Sequence, residues 1–413
     1  MQKEITKTYK YRLYPNKNQI EMFDKYFGCV RFVYNRFLFE RKKQYQEMGK
    51  SDNYYGQAKA LTLLKKDDNY SWLKEINSQV LQCSLRHLES AYTNFFQGRA
   101  KFPVFKKKKS KNSFTVPQNV KLENGKLYIP KFKKGMKVVE HRQLQGKILF
   151  ATISKTPTNK YFVSITVKQE YNSKNPTNQE IGIDLGIKDL VITSNGYKYK
   201  NHKFTQKYAK KLKQAQQHLS CKTKGSKRFE KQRLKVALIH EKITNCRSDV
   251  LHKISHELVM QNDVVYLENL NIKGLSRSNL SKSINDCSWG ELTRQLHYKG
   301  DWDDTYIHEI NRFYPSSKTC HSCGYIADKM PLDIRKWTCP NCKIKHDRDI
   351  NAAINILLEG KREISVGTPD NTRGEDVRPQ FHKRRKANLN ETRSSKLKQR
   401  VVHRGMRFYE RCK

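Results

Sequence analysis

The sequence predicts a multidomain α+β protein: a small β-barrel interrupted by a helical unit, followed by a unit of buried strands and long helices that carries an inserted cysteine-rich module. Three observations point there. Alternating short segments at the start and across 112–178 read as strands, and stripes of apolar residues three and four apart between them read as helices. A buried strand–turn–strand pattern begins at 181. A C-x2-C-x15-C-x2-C cluster then lies between the last buried strand and the last amphipathic helix.

The first element, KTYKYRLYP, alternates basic with aromatic or aliphatic residues and stops at Pro15-Asn16. A helix follows, with Ile20, Phe23, Phe27, Val30, Tyr34 and Phe37 as its apolar stripe and Arg31, Asn35, Arg36, Arg41 and Lys42 on its surface. A second helix near 76–98 carries Val80, Leu81, Leu85, Leu88, Tyr92, Phe95 and Phe96. The run KFPVFKKKKSK at 101–111 breaks the helical pattern. Strands then alternate with turns at Asn124-Gly125, Lys134-Gly135 and Thr158-Asn159. A lone first strand beside helices would leave its edge unpaired, so it is expected to join this later β unit. Residues 1–15 and 101–178 therefore form one β unit, and 16–100 are a helical insertion.

From 181, IGIDLGIKDLVITSNG gives a buried strand, a turn and a second strand, and 207–258 reads as helical. Residues 179–310 and 347–365 are taken as one unit, 311–346 as the cysteine module, and 366–413 as a basic, disordered tail without periodicity.

Charge narrows the function class. The chain has 83 Lys and Arg against 39 Asp and Glu, a net charge of +44, far beyond the roughly 2–8 units typical of a soluble domain. A polyanion is implied, and nucleic acid fits through counterion release. No apolar run reaches the roughly 18 residues that a spanning helix needs, and the N-terminus lacks a signal-peptide core, so a membrane partner is not expected. Between 207 and 235 there are eleven Lys or Arg and one acid, Glu230, over a sparse seam of Leu212, Leu219, Leu234 and Leu238. Solvated helix faces mix signs, so Lys210, Lys211, Lys227, Arg228 and Lys231 are expected to meet phosphates. Lys106, Lys107, Lys108 and Lys109 in the basic run are placed with them.

Three acids stand out for chemistry. Asp184 lies in an apolar strand, where an uncompensated carboxylate is costly. Glu268 closes a second buried strand in DVVYLENL. Asp349 opens a helix whose Ile350, Ala353, Ile354 and Leu357 are expected to face inward. Each alone could equally cap a helix or pair with a lysine. Together they match the carboxylate set that holds Mg²⁺ or Mn²⁺ for phosphodiester hydrolysis, with ions about 4 Å apart. Asp347 competes with Asp349 and is assigned instead as the helix cap.

Cys320, Cys323, Cys339 and Cys342 have the spacing of a structural four-thiolate zinc site, which is closed to a catalytic water. His321 and His346 are spare donors, expected at the surface. Cys29, Cys83, Cys221, Cys246, Cys287 and Cys412 are scattered singly and read as small buried hydrophobes or inert surface thiols.

Longer runs carry a resemblance. YKYRLYPNKNQ, GCVRFVYN, FPVFKKK, GIDLGIKDL, LKVALIHEKITNCRSDVLHKISHELV, VVYLENLNIKGL, SWGELTRQLHYKG, FYPSSKTCHSCG, WTCPNC and DRDINAAINIL together resemble the TnpB family of transposon-associated RNA-guided nucleases, related to compact type V CRISPR effectors. The resemblance spans nearly the whole chain except the tail. It implies a wedge-like β-barrel with a helical recognition insertion. It also implies an RNase H-like RuvC nuclease domain of α/β type, with the zinc module inserted. On that likeness Asp184, Glu268 and Asp349 are the catalytic acids and bind Mg²⁺ (or Mn²⁺). The implied partners are a guide RNA from the transposon end and double-stranded target DNA cut beside a short motif, with one protein per RNA. The implied setting is a prokaryotic cytoplasm, in association with the nucleoid. Pairing reads the target in such systems, so high charge without a base-reading helix is expected. The alternatives are a nuclease-inactive RNA-guided repressor, a strand-joining transposase or its accessory protein, and a nonspecific basic binder. The presence of all three acids argues against the first.

Overall fold

The computed structural model describes residues 2–108, 112–331 and 334–366; the expected basic tail lies, beyond Val366, outside the described residues. The chain starts with β1 (Gln2–Tyr14), which Pro15 ends. Asn16 then caps α1 (Lys17–Met48) in a reciprocal capping box with Gln19, and Gly49 closes the helix in the left-handed conformation. Two elements follow that the sequence reading did not separate, α2 (Tyr54–Leu64) and a 3-10 segment at Asp68–Glu75, before α3 (Ser78–Phe96). Strands β2 (Asn112–Val116), β3 (Lys121–Glu123), β4 (Lys126–Tyr128), β5 (Met136–Val139), β6 (Lys147–Lys155) and β7 (Tyr161–Asn172) complete the first half.

These strands form one antiparallel sheet in the order β2-β6-β7-β1-β5-β4-β3. The first strand is not an orphan. It pairs with β7 from Gln2 to Leu13 and with β5 at its end. Strands β2 and β3 are the two edges and do not pair with each other, so the predicted barrel is a curled half-barrel. Helices α1 and α3 share its core, and Phe23, Tyr26 and Phe27 of α1 meet Phe114 and Phe132 in an aromatic cluster. Two positions of the helices differ from expectation. Arg41 is buried, because its guanidinium pairs with Glu89 at 2.7 Å and lies over the Tyr92 ring. Phe96, expected on the apolar stripe, is 75% exposed at the last residue of α3.

The second half contains β8 (Glu180–Asp184), β9 (Asp189–Thr193), β10 (Lys198–Lys200), α4 (Phe204–Lys207), α5 (Ala209–Ser220), α6 (Lys227–Gln261) and β11 (Val264–Glu268). It continues through α7 (Ile272–Leu275), α8 (Ser281–Cys287), α9 (Trp289–Asp303), β12 (Tyr306–Ile310), β13 (Lys336–Thr338), β14 (Lys345–Asp347) and α10 (Arg348–Val366). The sheet order is β10-β9-β8-β11-β12. Strands β8, β9 and β10 are antiparallel, whereas β11 and β12 run parallel to β8. Helical crossovers between the parallel strands cover one face, where Val265 and Leu267 meet Leu251, Ile254, Leu258, Leu292 and Leu296. On the opposite face Tyr266 packs with Ile310 and Ile356 of α10, as the two-residue strand period requires.

Helix α10 comes unusually close to the sheet. A Cβ built on Gly182 would lie 2.2 Å from the Ala353 carbonyl oxygen, and one on Gly360 would lie 2.1 Å from the Tyr266 ring. Only glycine fits at either place. The buried residues of α10 are Arg348, Asn351, Ala352, Ala353, Asn355, Ile356, Glu359 and Gly360, and the small ones among them, Ala352, Ala353 and Gly360, permit this approach. Of the four residues expected to face inward, Ala353 is buried and Ile350, Ile354 and Leu357 are half-buried. Among the described residues no helix is long and apolar enough to cross a membrane.

Candidate active site

Asp184 and Glu268 are the last residues of β8 and β11, which are parallel neighbours with Ile183 opposite Leu267. Both carboxylates thus emerge side by side at the carboxyl end of the sheet, where open α/β sheets place ligands. Asp349, second residue of α10, is brought to them by the glycine-mediated approach of that helix. All three are half-buried.

The electrostatics reflect this gathering. Burial, and then the charges of Glu268 and Asp349, push Asp184 from 3.8 up to about 7, against the Leu185 N–H and the Arg348 charge that favour its ionised form. No ion pair neutralises it among the described residues. Burial also raises Glu268, opposed by the Ser316 hydroxyl, which donates a hydrogen bond to its Oε1. Asp349 accepts from Arg335 Nη1 at 2.9 and 3.2 Å, one contact to each carboxylate oxygen.

Among the described residues, the four cysteines are the one His, Cys, Asp or Glu group of three or more whose ligand atoms lie within 4.8 Å of one another. An all-oxygen set with a half-buried member that no ion pair neutralises suits Mg²⁺ or Mn²⁺, so these residues fit a divalent-ion site. Asp347 takes the capping role: its Oδ1 accepts from the N–H groups of Asp349 and Ile350, and its Oδ2 pairs with Lys198 at 2.7 Å. Burial disfavours its charge, but Lys198 and those N–H groups hold it below the usual carboxylate range.

The cysteine module has the geometry of a zinc centre. The Cys320 and Cys342 sulfurs are 3.6 Å apart, as are those of Cys323 and Cys339. A tetrahedron with Zn–S arms of about 2.3 Å has edges of about 3.8 Å. The surface placement expected of the histidines does not hold. His346 is buried with Nε2 3.1 Å from Cys320 Sγ, and His321 is half-buried against it and bonded to Asn351. Four thiolates would complete the coordination of a zinc ion, and both rings pack and hydrogen-bond beside the sulfurs. The scattered cysteines divide as expected, with Cys29, Cys83 and Cys287 buried, Cys246 half-buried and Cys221 exposed; Cys412 lies outside the described residues.

Helices α5 and α6 fold back on each other around buried Ala215, tied by Gln232 Nε2 to the Ala215 carbonyl at 3.0 Å. Lys210, Lys211, Lys227, Arg228 and Lys231 are exposed on this hairpin, and Lys107 and Lys108 are exposed in the earlier run. Lys106 differs. Its main chain is clamped by Asn35, its ammonium sits 3.8 Å from the centre of the Tyr34 ring, and burial lowers its pKa. Lys109 lies outside the described residues.

Sequence reasoning missed Ser316, Arg335 and the structural reason for Gly182. Each lies in or beside a recognisable run, in FYPSSKTC, before WTCPNC and within GIDLG, but their roles depend on contacts distant in sequence.

Residues 162–279 match the family OrfB_IS605, described as "Probable transposase", and 289–356 match "Cas12f1-like, TNB domain". Residues 1–50 match a family described as "Helix-turn-helix domain", although here they form one strand and one 32-residue helix. The "Putative RNA-guided DNA endonuclease" of Streptomyces pristinaespiralis is 36% identical over 385 residues, 92% of this chain and 94% of that protein. The Escherichia coli K12 protein of the same description, InsQ, is 32% identical over 378 residues, 87% of this chain and 93% of that one. A solved Cas12f1 complex with single-guide RNA and target DNA superposes with a TM-score of 0.56 at 13% identity, over 86% of this chain and 99% of that one, a likeness of fold. Matched along almost its full length by a relative more than one-third identical, the chain belongs to the TnpB family.

Proposed function

We propose that the chain is an RNA-guided DNA endonuclease that cuts double-stranded DNA at a RuvC-type site, with Asp184, Glu268 and Asp349 as its metal-holding catalytic acids. The observation that carries this is the electrostatic state of Asp184, a half-buried carboxylate pushed up to about 7 by desolvation and by two further acids from separate elements. Perturbed acids cluster where chemistry is done. The sheet supports an RNase H-like assignment, since three antiparallel strands are followed by two parallel to the first.

Bound between these carboxylates, Mg²⁺ or Mn²⁺ ions would activate a water and neutralise the leaving oxygen in an in-line displacement. The chain's own residues set that up. Partial burial limits water at Asp184, the Ser316 hydroxyl donates to Glu268, and the Arg335 guanidinium places positive charge beside Asp349, where a phosphate can be met. The four-cysteine centre has no open position and acts structurally. The exposed lysines and Arg228 of α5 and α6, with Lys107 and Lys108, provide phosphate contacts for a guide RNA from the transposon end and its paired target. The half-barrel (1–15, 101–178) and helical insertion (16–100) are the units assigned to reading a short target-adjacent motif, and 179–310 with 347–365 is the nuclease domain around the 311–346 zinc module. A cytoplasmic, nucleoid-associated complex of one protein per RNA completes the reading.

The test is cleavage of a plasmid library randomised beside the target, using protein co-expressed with RNA from its own locus, in Mg²⁺ and in EDTA. Guide-dependent, EDTA-sensitive cuts beside one enriched motif are expected, and none from Asp184→Ala, which should keep its RNA. Cutting by Asp184→Ala would refute the acid assignment, and guide-dependent binding without cuts would favour a repressor.

A further inference from the structure

Ser316 and two buried asparagines of α10 connect the cysteine centre to the active site without belonging to either. Ser316 is 5% exposed, and its hydroxyl donates to Glu268 Oε1. The loop that carries it is clipped from below. Asn355 Nδ2 donates to the carbonyls of Ser316 at 2.7 Å and Thr319 at 2.6 Å, and Asn351 Nδ2 donates to the Thr319 carbonyl at 2.7 Å. Asn351 Oδ1 accepts from the His321 N–H at 3.0 Å and stands 2.9 Å from His321 Nδ1. The His321 ring meets His346 edge-on, and His346 Nε2 reaches Cys320 Sγ at 3.1 Å. The asparagines are 1% and 2% exposed, so these bonds are sheltered from water.

The path from the Cys320 sulfur to the Glu268 carboxylate is therefore continuous, with each link a hydrogen bond or a ring contact. A carboxylate on a strand end can rotate, and one fixed donor on one oxygen decides which way the other points. We propose that Ser316 is a positioning residue for Glu268 and that the four-cysteine centre, through His346, Asn351 and Asn355, fixes where Ser316 stands, so that the centre sets the divalent-ion affinity of the active site. This rests on the reading of Glu268 as a metal-holding acid. Were the asparagines only fasteners between helix and loop, breaking the path would lower stability and leave ion affinity alone.

The experiment uses the full chain bound to its guide RNA and measures Mn²⁺ binding by electron paramagnetic resonance, alongside Mg²⁺ titrations of cleavage and zinc content. Ser316→Ala should raise the Mn²⁺ and Mg²⁺ needed for half-saturation by about tenfold, the lower end of what loss of a carboxylate's supporting hydrogen bond costs a metal site. Zinc content should be unchanged, cleavage should recover at high Mg²⁺, and Ser316→Thr, which keeps the hydroxyl, should restore wild-type affinity. His346→Phe keeps the ring and all four cysteines but breaks the link to sulfur, and should weaken Mn²⁺ binding in the same direction with zinc retained. Wild-type ion affinity in Ser316→Ala, with Glu268→Ala inactive, would overturn the positioning role. Wild-type affinity in His346→Phe would overturn the connection to the cysteine centre. Cleavage by Glu268→Ala would instead sink the acid assignment on which both rest.

Discussion

Replacing Asp184 by asparagine should stabilise the ion-free protein while abolishing cleavage, and the pH dependence of that gain is a direct test of the site's electrostatics. The folded-state pKa is raised from 3.8 to about 7, so the unfolded chain releases this proton at lower pH than the folded one. Below about pH 4 the group is protonated in both states and contributes no difference. Between the two values stability falls as pH rises, and above about 7 the full cost of a buried charge is present. At 1.36 kcal/mol per pKa unit the ceiling is about 4 kcal/mol. Asp184 keeps some contact with solvent, so screening reduces the expected gain to about 2 kcal/mol, or about 3 °C in melting temperature for a folded body of this size. The assay is thermal unfolding of wild type and Asp184→Asn in EDTA, near pH 4 and well above pH 7. The variant should melt higher only at the upper pH. Added Mg²⁺ should close the gap, since an ion held by the ionised site stabilises wild type alone. An Asp184→Asn protein that is no more stable than wild type at high pH would show that the carboxylate bears no electrostatic penalty, and the argument for a gathered acid site would fail.

Other perturbations probe the supports of the site. Gly182→Ala places a methyl against the Ala353 carbonyl and the Leu357 N–H, both backbone, and should cost about 3 kcal/mol or push α10 outward. Unfolding midpoints and cleavage should both drop while guide RNA stays bound. Cys339→Ser should collapse the zinc module locally: hydrogen exchange protection around 318–346 is lost, the half-barrel keeps its own, and cleavage disappears. Alanine at Lys227, Arg228 and Lys231 together should leave the melting temperature unchanged. It should weaken guide-RNA affinity and lower the slope of log affinity against log salt by about 0.7 for each single-strand phosphate contact removed.

Local signals explain which features could be read from the chain. Pro15 followed by Asn16 and Gln19 announces the end of a strand and the start of a helix within five residues, and Asn124-Gly125 specifies a tight hairpin through two positive φ values. The pairing of β1 was recoverable because an unpaired strand edge is unfavourable wherever it occurs. Closure of the barrel was not, since it turns on whether β2 and β3 meet, a matter of curvature that no local pattern encodes. Arg41 was misplaced because its charge was weighed above its position: it continues the stripe four residues after Phe37, and Glu89 and Tyr92 from α3 accommodate its guanidinium there. His346 was assigned to the surface because four cysteines sufficed as ligands, which says nothing about what packs beneath them.

The three acids could be singled out along the sequence but their arrangement could not, and the placement of the cysteine module accounts for the difference. Asp184 and Glu268 are fixed by the register of two adjacent parallel strands, so their proximity follows from the sheet alone. Asp349 belongs to a helix that begins where β14 ends, with no intervening residue between Asp347 and Arg348. The start of that helix is held by the module itself: the Arg348 N–H donates to the Arg335 carbonyl at 2.8 Å, and Arg348 Nη1 donates to the Pro331 carbonyl at 2.8 Å. Its far end is set by the Gly360 contact with Tyr266. A segment with little apolar core of its own thus has to deliver the third carboxylate to a sheet built by other elements. A module immediately before the helix that four cysteines would tie through a zinc ion suits this, since a bound metal makes a small unit rigid. The cysteine cluster therefore sits between the second and third acids as part of the apparatus that brings Asp349 into the site.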